Sequence, residues 1–282
     1  MNPFPTFRTG VAALLLLAPS SLLAATTLRI GIYDNAPKVT LSPEGKPEGI
    51  FVDLIQAIAE DEHWELEYIP GTWAEGLDRL EAGQIDLMPD VALTSERETR
   101  FAFHSEPVLS SWFQIYARRG SGIRSLVDLD GKRVAVLERS IQQGAFEKLV
   151  SGFDLETPLL SFPDFASAFA AVESNQADVV VANRFYGAAL LRTHPIEDTG
   201  IIFNPTRLYF AAPRSGNPAI LSTLDRHLLR MKQDRSSTYY RSIQRWMSDD
   251  SRFPLPRWLK GAGLTAAAVL ILVLLWNIAL KR

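Results

Sequence analysis

The chain has 282 residues, 47% of them apolar and 22% charged, with a formal net charge of -3, which suits one large buried core or two modest ones. This mild acidity comes with no basic face, so the charge pattern gives no ground for nucleic acid as a partner. The chain contains no cysteine, which excludes disulfides, thiolate metal sites and cysteine nucleophiles.

At the start, Arg8 precedes the apolar stretch "VAALLLLA", and a break at Pro19, Ser20 and Ser21 leads into "LLAATT". A charged region, a short apolar region and a small-residue cleavage site in that order predict an export signal over residues 1–25. An uncleaved membrane helix would need roughly 20 apolar residues, and Pro19 interrupts this stretch too early.

From Leu28, "LRIGIYDN" reads as a short apolar strand ending in a polar turn. A helical pattern around "GIFVDLIQAIAE" and the strand "LEYI" follow. In "WAEGLDRLEAGQIDLMPD", from Trp73, the apolar residues Trp73, Leu77 and Leu80 recur at i, i+4 and i+7. That spacing predicts a helix with one buried face, stopped by Gly83 in a left-handed conformation and followed by a buried strand. "FASAFAAVESNQADVVVA", from Phe165, aligns with this stretch without a gap, so that Glu81, Gln84 and Asp86 meet Glu173, Gln176 and Asp178. Upstream of this second copy, "KRVAVLER", "GAFEKLV" and "LLSF" repeat the strand, helix, strand order of the first. "LSTLDRHLLRMKQD" and "STYYRSIQRWM" are expected to be late helices. Residues 251–258, with Pro254 and Pro256, are expected to form a short stiff linker. The uncharged run from Gly261 to Leu280 predicts a transmembrane helix over 259–280.

Alternating β and α segments predict an α/β fold of two β-α-β-α-β lobes with parallel sheets. Ligands on such sheets bind beyond the carboxyl ends of the strands. That places Tyr33 to Pro37, Asp90 to Arg97, Glu138 to Gln142 and Asn183 to Tyr186 at the cleft. Asp53 and Asp86 are expected to be structural. The four histidines lack metal-ligand spacing, and no catalytic elbow, phosphate loop or zinc-helix signature occurs.

The run "GIFVDLIQAIAEDEHWELEYIPGTWAEGLDRLEAGQIDLMPDVALTSERETRFAFHSEPV" resembles the first lobe of the amino-acid-type bacterial extracellular solute-binding proteins, family 3, and "DLDGKRVAVLERS" is similar to the start of their second lobe. The resemblance covers about Leu28 to Met247. "HSEPVLSSWFQIYARRGS" and "STYYRSIQRWM" look most like the versions fused to membrane sensors, histidine kinases or diguanylate cyclases. The fold implied is the type 2 two-lobed periplasmic-binding fold with a hinge. Lobe one would comprise about 26–118 and 206–247, and lobe two 119–205, with hinge crossings near "IYARRG" and "FNPTRLYF".

The resemblance implies that Arg97, in Thr-x-x-Arg, grips a ligand carboxylate, assisted by the Thr94 hydroxyl. A planar guanidinium offers two parallel donors to a carboxylate. On the other reading, Ser95 and Glu98 form a capping box and Arg97 is a solvated helix charge. Tyr33 and Trp73 match aromatic walls, although Trp73 suits the core equally well. Asp90 stands at a cleft-facing strand end, where satisfying loop amides is the alternative. Ser140 would cap the second-lobe helix, bind an anion, or both. Asn183 occupies the place where many relatives carry an Asp for the ligand's α-ammonium, and an amide cannot supply that charge.

These readings predict a periplasmic sensor domain, anchored in the inner membrane, that captures a small carboxylate or polar solute and signals closure through the membrane helix. A homodimer is one assembly it allows. Neither a cofactor nor a metal is called for, and no catalytic residue is assigned. The alternatives are a membrane-tethered component of an ABC importer and a dehydratase on the same fold, with Glu138 as its acid.

Overall fold

The computed structural model describes residues 26–247 apart from Arg192. In the first half, β1 (Thr26–Ile32) runs to a small β2 (Thr40–Leu41) and β3 (Pro47–Glu48) hairpin, then α1 (Ile50–Glu62), β4 (Trp64–Pro70), α2 (Trp73–Glu81) and β5 (Met88–Ala92). The short α3 (Ser95–Arg100), β6 (Phe101–Phe103) and the long β7 (Leu109–Arg118) follow. The second half contains β8 (Val134–Leu137), α4 (Ile141–Ser151), β9 (Leu159–Phe162), α5 (Phe165–Glu173), β10 (Val179–Asn183) and α6 (Arg184–Leu190). The chain then returns along β11 (Ile196–Pro213) and ends in α7 (Pro218–Gln233) and α8 (Thr238–Met247).

Both halves carry the expected parallel pairs, β1 with β4 and β8 with β9. The helix-turn-strand repeat is present in detail. Thr72 caps α2 through a reciprocal box with Glu75, and Asp164 caps α5 by accepting from the Ser167 amide. Each helix ends before a left-handed residue, Gly83 at φ 67° and Asn175 at φ 63°, the conformation that Gly and Asn adopt most readily.

The halves are joined by β7 and β11, which pair antiparallel along their length within one sheet ordered β5-β11-β7-β10-β8-β9. Their register shifts between Phe203, opposite Phe113, and Thr206, opposite Ser111. On one side of that break, Phe113, Ile115 and Ala117 pack with β8, β10 and Phe146 of α4. On the other, Leu109, Leu208 and Phe210 pack with α1 and with Leu221, Leu224, Leu228 and Met231 of α7. Helix α8 closes the first half, where Ser242 and Trp246 both donate to Asp53 Oδ2, at 2.7 and 2.8 Å.

Among the described residues no helix is long and apolar enough to cross a membrane. This corrects the expected single-pass inner-membrane localisation. The segments on which that expectation rested, 259–280 together with the linker 251–258 and the export signal 1–25, lie outside the described residues.

Candidate functional site

A cavity of about 370 Å³ lies between the halves, at the carboxyl ends of the strands. Four of the expected cleft residues, Tyr33, Trp73, Asp90 and Arg97, line it together with Asn183. Thr94 and Ser140 are not among its lining residues. Thr94 caps α3, its Oγ1 accepting from the Arg97 amide at 3.2 Å, so the cap sits one residue before Ser95. Ser140 precedes α4, but its buried hydroxyl makes no cap bond and has no partner. The neighbouring Ile141 and Gln142 reach the cavity instead. Glu138 is exposed and does not line the cavity.

Asp90 is held at a positive φ of 63° in the middle of β5, where the register against β11 shifts, a region that non-glycine residues occupy at a cost unless their surroundings fix them. The fixing contacts are on one oxygen. Asp90 Oδ2 accepts from Tyr33 Oη at 2.8 Å, Asn35 Nδ2 at 2.6 Å and Lys38 Nζ at 2.5 Å. The Lys38 and Asp90 side chains are 3% and 1% exposed. Burial pushes the Lys38 ammonium down from its ordinary range, and the adjacent carboxylate opposes that shift. Burial and the Asp90 charge raise the Tyr33 hydroxyl well above its usual range, so it stays a donor. The other oxygen, Asp90 Oδ1, is buried without a partner.

The loop carrying Lys38 is fastened by the helix that follows it. Ile50 and Phe51 amides donate to the carbonyls of Pro37 and Lys38 at 3.1 and 2.9 Å, satisfying donors that the first turn of α1 leaves free. Gly49, at φ 119°, allows this approach: a Cβ there would stand 2.5 Å from the Lys38 carbonyl oxygen. Lys38 is a functional candidate that the sequence reading missed, since the expected segment stopped at Pro37, and Asn35 lay within that segment without being singled out. The available signal was a lysine set in the otherwise apolar "APKV".

Arg97 is buried although it sits on a six-residue helix, which rules out the solvated-charge reading. Its guanidinium lies 5.1 Å from the Trp73 ring centroid, and Nη1 donates to the Ala92 carbonyl at 3.2 Å. Burial lowers its pKa to about 10, so it remains cationic at neutral pH. Among the charged residues lining the cavity, Lys38 and Asp90 compensate one another and Arg97 faces no carboxylate partner.

Asn183 joins the halves. Its Oδ1 accepts from the Phe185 and Tyr186 amides at 3.2 and 3.1 Å, capping α6, while Nδ2 donates to Asn35 Oδ1 at 2.9 Å. Asn35 passes the connection to Asp90. At the mouth, Trp73 Nε1 donates to the Arg139 carbonyl at 3.3 Å, and the Arg139 guanidinium meets Asp78 at 2.8 Å. One apolar cluster runs unbroken from Tyr33, Trp73 and Leu77 to Leu137, Phe165 and Phe169. The halves are therefore closed on one another.

The chain is similar over 214 residues, at 26% identity, to the ABC transporter glutamine-binding protein GlnH of Bacillus subtilis (strain 168), covering 73% of this chain and 75% of that protein. It is 29% identical over 149 residues to PatH of Vibrio harveyi, a candidate amino-acid ABC transporter-binding protein, covering 52% of this chain and 58% of the relative, less than two thirds of its length. A solved structure of an ancestral arginine-binding protein bound to glutamine superposes with a TM-score of 0.71 at 26% identity, covering 80% of this chain and all of that one. Residues 28–249 match the family of bacterial extracellular solute-binding proteins, family 3. The chain belongs to that family.

Proposed function

We propose that this domain captures a small monocarboxylate between its two halves and closes over it, with Arg97 as the carboxylate ligand. One observation carries the reading: Arg97 is a buried cation lining the cavity with no carboxylate of its own. A buried charge without a counter-charge is costly, and an incoming carboxylate removes that cost while making a bidentate pair. Trp73 and Tyr33 form the wall beside it. The partnerless Asp90 Oδ1 accepts a neutral hydroxyl or amide donor of the solute.

Closure pivots where the β7 and β11 register breaks, at Ser111 to Phe113 and Phe203 to Thr206. Lobe one then consists of β1 to the start of β7 with the end of β11, α7 and α8, and lobe two of the segment between. The relatives named for transporters support a second reading of the output, delivery of the captured solute to an ABC importer. The expected relay through a membrane helix rests on residues 259–280, which lie outside the described residues. Catalysis gains no support here, because the acid considered for it, Glu138, is exposed and does not line the cavity.

The test is calorimetry with small monocarboxylates selected by thermal shift. Arg97→Ala should weaken binding at least tenfold while the domain stays folded, since a charge-assisted pair contributes about 1.5–3 kcal/mol. Unchanged affinity would remove Arg97 from the site.

A further inference from the structure

The acid of this cavity stands within β5, not at the end of β10, and it is already occupied. Asp90 Oδ2 is bound by the primary ammonium of Lys38 at 2.5 Å, with Tyr33 Oη and Asn35 Nδ2 completing its shell at 2.8 and 2.6 Å. A carboxylate surrounded by an ammonium, a phenol and an amide is a recognition site for an organic amine. Here the amine belongs to the protein.

We propose that Lys38 is a tethered ammonium that fills the amine subsite and thereby sets specificity against α-amino acids. The proposal rests on the carboxylate reading of Arg97 and adds to it a residue that selects among carboxylates. Three features favour it over a purely structural ion pair. First, both partners line the solute cavity and are almost fully buried. Second, the pair is neutral overall whichever atom carries the proton, so an amino acid's ammonium would enter beside a compensated acid and meet the Lys38 cation. A zwitterion would leave Arg97 and the ligand ammonium sharing one carboxylate, whereas a monocarboxylate without an amine balances the cavity. Third, Asn183, which faces this site from the other half, is committed through both its amide atoms to α6 and to Asn35, and it contributes no charge.

The tether is built to hold. The α1 amides of Ile50 and Phe51 grip the carbonyls around Lys38, and Gly49 leaves room for that grip. The backbone that carries Lys38 is therefore fixed, and the buried ammonium at the end of its side chain rests on Asp90 Oδ2.

Chemical rescue tests this without knowing the solute. Lys38→Ala removes the atoms of a propylammonium ion and leaves Asp90 in place. At pH 8, millimolar n-propylammonium should raise the melting temperature of Lys38→Ala by a few degrees, 1-propanol should not, and the wild type and Lys38→Ala/Asp90→Asn should not respond. In parallel, an α-amino acid and its deaminated analogue, norvaline and pentanoate, are compared by calorimetry. Lys38→Ala should shift the preference tenfold or more towards the amine-bearing member. A folded Lys38→Ala that ignores propylammonium, or an equal response in the Asp90→Asn background, overturns the proposal. So does a Lys38→Ala that stays unfolded in the amine while the double variant folds. Arg97-dependent carboxylate binding is measured separately, so its failure is distinguishable from failure of the Lys38 assignment.

Discussion

Arg29 with Asp86 in the first repeat, and Arg133 with Asp178 in the second, form the same clamp. In each, the aspartate accepts the arginine's own backbone amide at 2.8 Å and a two-pronged guanidinium contact at 2.9 to 3.1 Å. The second Nη2 bond goes to Gly83 O in one repeat and to Asn175 O in the other, the left-handed residues that end α2 and α5. Four residues beyond the first clamp and five beyond the second, the likeness ends. Strand β5 carries Asp90 at its middle, an acid bound by Lys38 and followed by Arg97, while β10 ends in Asn183, an uncharged helix cap. The clamp fixes strand to strand in either half, because joining β1 to β5 and β8 to β10 poses the same local problem. The strand tips face the shared cavity, and there the two halves divide the work: the first supplies charge, the second supplies apolar surface and neutral hydrogen bonds.

The largest effect expected from this division is on stability. Asp90→Ala should cost about 3–5 kcal/mol, because it strands the buried Lys38 ammonium, whereas Asn183→Ala should cost only about 1–2 kcal/mol, the range for a lost helix cap. Urea denaturation distinguishes them. Equal costs would mean that the charge on β5 is not what separates the halves.

Acid should also act on the first half. Burial lowers the pKa of His104 to about 4. Its Nε2 accepts from the Phe210 amide at 2.9 Å, and Nδ1 lies 3.5 Å from Asp225, too far for a good hydrogen bond. The unfolded chain, with an ordinary histidine near 6.5, binds the proton first. Stability is therefore complete above about pH 6.5 and falls as the pH drops towards 4, by up to about 3 kcal/mol. Melting temperatures of the wild type and His104→Gln between pH 7 and 4 should converge as the pH falls. Parallel curves would assign the acid sensitivity to other groups.

The smallest effect is the sharpest test of likeness. Asp86→Ala and Asp178→Ala should each cost about 1–2 kcal/mol, as expected for partly exposed charge-assisted bonds, and should agree within about 0.5 kcal/mol. A larger gap would show that the two clamps carry different loads despite their matching geometry.

The repeat was legible in the sequence because it is local. Helical spacing around Trp73 and Phe165, the stops at Gly83 and Asn175, and the acidic residues after them lie within a span of about 18 residues, where periodicity and turn chemistry act directly. The resemblance carried by Thr-x-x-Arg singled out Arg97, and that residue lines the cavity. The same resemblance placed Thr94 in the cluster; its hydroxyl oxygen accepts from the Arg97 amide as the cap of α3, and the residue is not among those lining the cavity. Ser140 shows the limit from the other side: its position before α4 could be read from the sequence, whereas the direction of its hydroxyl depends on packing.

Composition and periodicity by themselves determined that this is an α/β chain with two copies of one plan and strand ends gathered at a cleft. Only the tertiary structure decided that the cleft's acid is paired internally. Lys38 lies 52 residues before Asp90 and Asn35 lies 148 before Asn183, so no sequence window contains either contact. A buried lysine is unfavourable in isolation and becomes tolerable only when a distant strand delivers a carboxylate to it. That delivery depends on β1 and β5 lying side by side and on the α1 amides holding the intervening loop, conditions that exist only once the chain has folded.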